Sequence, residues 1–208
     1  MLNLGNAGGF IFDCDGTLLD TLDAWDEAER DLFEQAGPLT QEQEDEIHSA
    51  PIEQAAAILH AKYGVGDSSQ GVLAHLDDHL LPFYRDHSVA LPGAVAFVRK
   101  VSQAGVPCVV VSSSPRRYLE AGLARAGILG CFRDLVTTDE AGCSKQEFPI
   151  YERALELLGS TREATWAVDD APYALAVMKD FGLNTIAVGP RHDSTQADIR
   201  VPSLEALL

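Results

Sequence analysis

Four aspartates stand in two close pairs, each directly behind a short apolar run. Asp13 and Asp15 follow Phe10-Ile11-Phe12, and Asp169 and Asp170 follow Trp166-Ala167-Val168. A third run, Val109-Val110-Val111, ends in Ser112, Ser113 and Ser114. If these runs are parallel strands ending at one sheet edge, their oxygen-bearing side chains share the crevice where such sheets bind ligands. Four carboxylates crowded together cannot all stay ionised without compensation. A hard divalent cation with oxygen ligands supplies it, and Mg²⁺ suits one or two carboxylates plus a phosphate. The turn Cys14-Asp15-Gly16-Thr17 adds backbone N–H groups that can cradle an anion.

The elements that must position these groups are legible as patterns. Gly9–Phe12, Cys108–Val111, Asp134–Val136, Thr165–Val168 and Thr185–Val188 have the length and β-branching of buried parallel strands. Between the later ones lie helical stretches at 93–104, 116–126, 147–158 and 171–181, followed by Gly105, Gly127, Gly159 and Gly182. Strand–helix alternation predicts a doubly wound, Rossmann-like α/β sheet covered on both faces. The pattern is interrupted after the first strand. Residues 21–36, a segment opened by the capping box Thr40/Gln43, Pro51 to Tyr63 and Ser69 to His87 all read as helix. The expected organisation is an α/β core of residues 1–19 and 91–208 with an all-helical insert at 20–90. Hinge strands are expected near Leu18–Thr21 and Ala90–Gly93.

The segment Phe12-Asp13-Cys14-Asp15-Gly16-Thr17-Leu18-Leu19-Asp20-Thr21 resembles the first motif, DxDGT[LV], of the haloacid dehalogenase-like superfamily. Ser112 resembles the second motif, Lys145, 33 residues on, the third, and Asp169-Asp170 the acidic fourth. One departure is Gln146, where the family often has Pro after the lysine. The helical insert is similar to that of the subgroup with β-phosphoglucomutases, phosphoglycolate phosphatases and phosphonoacetaldehyde hydrolases. The resemblance implies a core with strand order 5-4-1-2-3 under a mobile cap, and a Mg²⁺-dependent reaction through an aspartyl-phosphate. Asp13 is then the nucleophile, since an aspartate is ionised at neutral pH without help. Asp15 is the acid and base, a role that a crowded anionic pocket favours by raising its pKa. Ser112 and Lys145 hold the phosphoryl group, with Gly16, Thr17 and Ser113 as further contacts; Arg116 and Arg117, near a helix N-terminus where cations are disfavoured, either contact the phosphate or face solvent. The metal falls to Asp13, the Asp15 carbonyl and Asp170, with Asp169 behind it. His48, beside Ser49, falls where related caps meet the substrate, and Trp25, Phe33, Phe83 and Tyr84 read as cap packing. An acid at position 15 argues against carbon–halogen and carbon–phosphorus cleavage. The expected activity is hydrolysis of a small phosphomonoester. A phosphomutase and a non-catalytic binding protein on the same scaffold are the rivals.

Composition narrows the partners. The chain has 208 residues, a formal charge of −17 and 46% hydrophobic residues, enough for a core without metal or disulfide staples. Residues 20–90 hold 16 acids against three bases, Arg30, Lys62 and Arg85. Nucleic acid is not an expected partner, because binding it needs clustered Lys and Arg. No apolar run reaches the roughly 18 residues of a membrane span, and Met1 to Gly9 makes a poor secretory signal. Cys14, Cys108, Cys131 and Cys143 lack CxxC spacing, as in a reduced protein. The expectation is a cytoplasmic monomer or weak homodimer acting on a small phosphorylated metabolite.

Overall fold

A computed structural model describes residues 4–190 and 196–208, without the side chains of Asp45 and Ser49. The readings of Ser49 and of the first three residues therefore lie outside the described residues. Five strands form on the apolar runs: β1 (Gly9–Phe12), β4 (Cys108–Ser112), β5 (Leu135–Thr137), β6 (Thr165–Asp169) and β7 (Asn184–Ala187). Two short strands, β2 (Leu19–Asp20) and β3 (Val89–Ala90), lie between β1 and β4, and β8 (Ile199–Arg200) comes last. The main sheet runs β5-β4-β1-β6-β7-β8, and all its pairings are parallel. Its first five strands have the order the resemblance implies. The edge strand β8 is an addition, two residues long and without a periodic pattern to betray it.

Period-two alternation splits the core. Phe10 and Phe12 pack on one face with Phe97, Tyr118 and Leu119, while Ile11 packs on the other with Val109, Val111, Tyr151 and Met178. Phe12 is fully buried and meets Phe97 and Phe132 edge-on; burying such a ring contributes about 1.5–3 kcal/mol. Register then fixes the chemistry. Phe12 stands opposite Val110 and Val168, so Asp13 emerges between the ends of β4 and β6, its N–H donating to Val168 O at 2.9 Å.

The insert is helical throughout: α1 (Leu22–Ala36), α2 (Gln41–Ser49), α3 (Ile52–Tyr63) and α4 (Ser69–Asp86). Both capping-box bonds form at Thr40 and Gln43, and Gly64 ends α3 in the left-handed conformation. The chain enters and leaves through an antiparallel pair, Leu19 opposite Ala90 and Asp20 opposite Val89. The remaining helices are α5 (Ala94–Gln103), α6 (Arg116–Arg125), the short α7 (Thr138–Ala141), α8 (Phe148–Leu158) and α9 (Pro172–Asp180). The insert rests on the core mainly where α4 meets α6. Gly122 on α6 permits that approach: a Cβ there would lie 2.6 Å from Leu19 Cδ1 and 3.0 Å from Tyr84 Cδ1.

Candidate active site

Strand ends build the floor of the site. Asp13, Asp169 and Asp170 are all buried, and each offers an oxygen within 4.8 Å of the others. Lys145, on the loop between α7 and α8, is 3% exposed. Its Nζ donates to Asp13 Oδ1 at 2.8 Å and to Asp169 Oδ2 at 2.5 Å. The Tyr151 hydroxyl fixes that loop by donating to Lys145 O at 2.7 Å. Burial alone would pull the ammonium's pKa down, but Asp13 and Asp169 outweigh it and hold Lys145 well above its ordinary value. Burial pushes Asp169 up, with Asp13 and Asp170 adding to the shift and Lys145 opposing it.

One ammonium does not balance three carboxylates. Asp13 Oδ2 is buried and, among the described residues, has no hydrogen-bond partner. A buried carboxylate oxygen without a donor is costly, and a hard cation between it and Asp170 would satisfy it. The residues present therefore fit a divalent metal. Asp169 is less available to such an ion, because its Oδ1 accepts the Ala171 N–H at 2.8 Å while Oδ2 faces Lys145. Thr17 leans its hydroxyl toward Asp170 Oδ1 at 3.5 Å. Gly16 has φ +80°, and a Cβ there would come within 3.0 Å of Asp170 Oδ2. Backbone conformation and space both require glycine at that position.

Asp15 forms a different wall. Its carboxylate stands apart from the acidic trio and is gripped by hydroxyls. Thr21 Oγ1 donates to Oδ1 at 2.7 Å, and the Tyr84 hydroxyl donates to the same oxygen. Ser114 Oγ donates to Oδ2 at 2.7 Å, and Ser112 Oγ lies 3.4 Å from it. Burial raises the pKa of Asp15 and the charge on Asp13 adds to this, against the hydroxyl donors.

Several expected contacts lie elsewhere. The N–H groups of Gly16 and Thr17 do not face an anion; they donate to Leu19 O and Cys14 O inside the turn. Arg116 is not brought to the cluster. Glu140 holds its Nε at 2.6 Å and Asp134 its Nη2 at 3.1 Å, beside β5; two carboxylates next to a cation outcompete a distant site. Ser113 is half-buried and lends its carbonyl to Thr138. His48 sits on α2, where Nε2 meets Glu29 Oε2 at 3.1 Å and the ring stands edge-on to Phe33. There it lines an open groove of about 670 Å³ with Asp26, Glu29 and Glu44.

Ser114, Thr21, Tyr84 and Trp25 are contacts that sequence reasoning missed. Alternation along an extended chain puts Ser112 and Ser114 on one side and Ser113 on the other, and that signal would have favoured Ser114. Thr21 occupies the N-cap position of α1 yet makes no side-chain capping bond there. The Tyr84 hydroxyl reaches Asp15 from α4, so this residue does more than pack.

The chain belongs to the haloacid dehalogenase-like hydrolases: the model of that family matches residues 8–182. It is an enzyme of the hydrolase class. It is 29% identical over 212 residues to hexitol phosphatase A of Escherichia coli strain K12, covering 96% of this chain and 92% of the relative. It is 26% identical over 198 residues to validoxylamine A 7'-phosphate phosphatase of Streptomyces hygroscopicus subsp. limoneus, with 93% and 92% covered. The crystal structure of β-phosphoglucomutase from Clostridium difficile superposes with a TM-score of 0.79 at 18% identity, over 97% of this chain and 93% of that one. These relatives span nearly the whole chain, and those two named by activity in sequence are phosphoric monoester hydrolases. The solved structure shares the fold, a parallel sheet carrying a helical cap.

Proposed function

We propose that the chain is a Mg²⁺-dependent phosphatase that hydrolyses the phosphomonoester of a small neutral polyol or sugar through an aspartyl-phosphate on Asp13. One observation carries this reading: Asp13 has one oxygen on Lys145 and the other, buried and without a hydrogen-bond partner among the described residues, beside Asp170. A carboxylate in that position is a nucleophile and a metal ligand at once.

In the first step an Asp13 oxygen attacks phosphorus. The bond from phosphorus to the leaving oxygen breaks, and Asp15 gives that oxygen its proton. In the second step Asp15 takes a proton from water as the water oxygen attacks phosphorus. The bond from phosphorus to Asp13 breaks, and inorganic phosphate leaves. Lys145 keeps the nucleophile oriented and offsets charge, and Ser112 offers its hydroxyl to a phosphoryl oxygen. Asp13, Asp170 and the Asp15 carbonyl would hold Mg²⁺, whose chemistry is to neutralise charge on the transferring group. Residues 20–90 act as the cap, closing over residues 1–19 and 91–208 to exclude water during the first step.

The substrate class rests on charge and on the relatives. The cap is strongly acidic, which disfavours a second phosphate and suits an uncharged alcohol. The curated relatives include a phosphatase named for hexitols. All four cysteines are free thiols, and no described helix is long and apolar enough to cross a membrane. The free thiols suit a reducing compartment, and we infer action in the cytoplasm on a small metabolite, as a monomer or weak homodimer. The test is phosphate release from a hexitol phosphate and from a sugar bisphosphate, with Mg²⁺ and with chelator, for the parent and Asp13→Asn. Mg²⁺-dependent release from the monophosphate, absent in the variant, is expected. An isomerised sugar phosphate without release, or preference for the bisphosphate at moderate salt, would overturn it.

A further inference from the structure

The grip on Asp15 includes one contact from the cap with a defined direction. Tyr84 lies on α4, is fully buried, and donates its hydroxyl proton to Asp15 Oδ1. The same Tyr84 oxygen accepts the indole N–H of Trp25, on α1, at 2.7 Å. An indole N–H donates and never accepts. With Trp25 feeding its oxygen, the single hydroxyl proton of Tyr84 is directed at Asp15. The rings are fixed as well: Tyr84 stacks on Tyr118 at 5.3 Å, Trp25 leans on Tyr118 at 6.0 Å, and Gly122 leaves room for the Tyr84 ring.

We propose that Tyr84 and Trp25 are positioning residues for the acid–base step. Their hydrogen-bond chain commits Asp15 Oδ1 to the cap and presents Oδ2 on the side of Ser112, where the phosphoryl group is placed. This inference deepens the proposed function and rests on the reading of Asp15 as the acid. Thr21 and Ser114 restrain the same carboxylate from the hinge and from the core. The Trp25–Tyr84 chain is the restraint from the cap helices, so it ties the orientation of the acid to the place of the cap.

The test uses leaving groups. A poor leaving group, the alkoxide of a hexitol phosphate, needs a well-placed acid; p-nitrophenolate leaves with little help. General acid catalysis contributes on the order of 10²–10⁴-fold, so misplacing the acid should remove a sizeable part of it. For Tyr84→Phe, kcat/KM with the hexitol phosphate should fall at least about tenfold further than with p-nitrophenyl phosphate. Trp25→Phe should show the same bias, smaller. Asp15→Asn is the reference and should show the largest. Equal losses on both substrates in both variants, or no loss, would overturn the positioning role while Asp15→Asn keeps its bias. An Asp15→Asn enzyme without bias would overturn the acid assignment and this inference together.

Discussion

Asp13 and Asp15 are two residues apart in one turn, yet their surroundings are opposite. Asp13 belongs to a floor of strand ends, where one ammonium and, as proposed, one metal ion answer three carboxylates. Asp15 belongs to a wall of neutral hydroxyls drawn from hinge, core and cap. A carboxylate held by an ammonium is oriented and has its charge offset, which suits a nucleophile. Burial and the charge on Asp13 raise the pKa of Asp15 against its hydroxyl donors, and a raised carboxyl suits a proton carrier. The difference shows how one loop makes two kinds of acid: what matters is which element reaches each side chain, not its place in the loop.

Breaking the floor should have the largest effects. Asp13→Asn should lower kcat by on the order of 10³-fold or more in a steady-state phosphate assay; retention of activity would move the nucleophile elsewhere. Lys145→Ala leaves Asp13 and Asp169 buried without their cation. In metal-free buffer it should lose about 3–5 kcal/mol of stability by urea unfolding, and Mg²⁺ should restore part of that loss. Mg²⁺ should also raise the Tm of the parent, as any ligand of the native state does, and Asp170→Asn should abolish most of that rise. An unchanged Mg²⁺ response in Asp170→Asn would place the ion outside the floor.

The wall answers to pH. The pKa of Asp15 is raised in the folded chain, so over the interval between the ordinary carboxylate value and the raised one the native state holds a proton that the unfolded chain has lost. Stability therefore falls as pH rises through that interval. Asp15→Asn does not titrate and escapes the fall. In metal-free buffer the urea midpoint of the variant minus that of the parent should grow with pH across the interval and level off above it. A flat difference would contradict the raised value. The smallest effect belongs to neither region: Arg116 is held by Glu140 and Asp134 at a partly exposed site, so Arg116→Ala should change kcat/KM by less than about threefold. A larger loss would bring Arg116 back to the substrate.

The same contrast separates what the sequence disclosed from what it hid. The floor is local: an apolar strand followed at once by an oxygen-bearing side chain, twice Asp and once Ser, needs only parallel register to bring Asp13, Asp169, Asp170 and Ser112 to one edge. Lys145 came from motif order, since its loop carries no periodic signal. The four cap helices showed through their apolar spacing and their caps. The wall is tertiary. Tyr84 lies 69 residues from Asp15, and nothing in its helical period distinguishes a packing ring from one whose hydroxyl meets a carboxylate. Thr21 reads in the sequence only as the end of a hinge strand, and its hydroxyl turns to Asp15. Arg116 looked available because the acids that hold it, Asp134 and Glu140, lie on later segments.

If Asp13 is the nucleophile, a covalent bond from its carboxylate to phosphorus forms in every turnover and can be trapped. The enzyme would be mixed with Mg²⁺ and a hexitol phosphate, quenched within one turnover, and its peptides read by mass spectrometry. A phosphoryl group on the peptide containing Asp13, removed by hydroxylamine and missing in Asp13→Asn, is the expected result. Full turnover at the same Mg²⁺ concentration with that peptide unmodified at every quench time, or with the label on another residue, would contradict it.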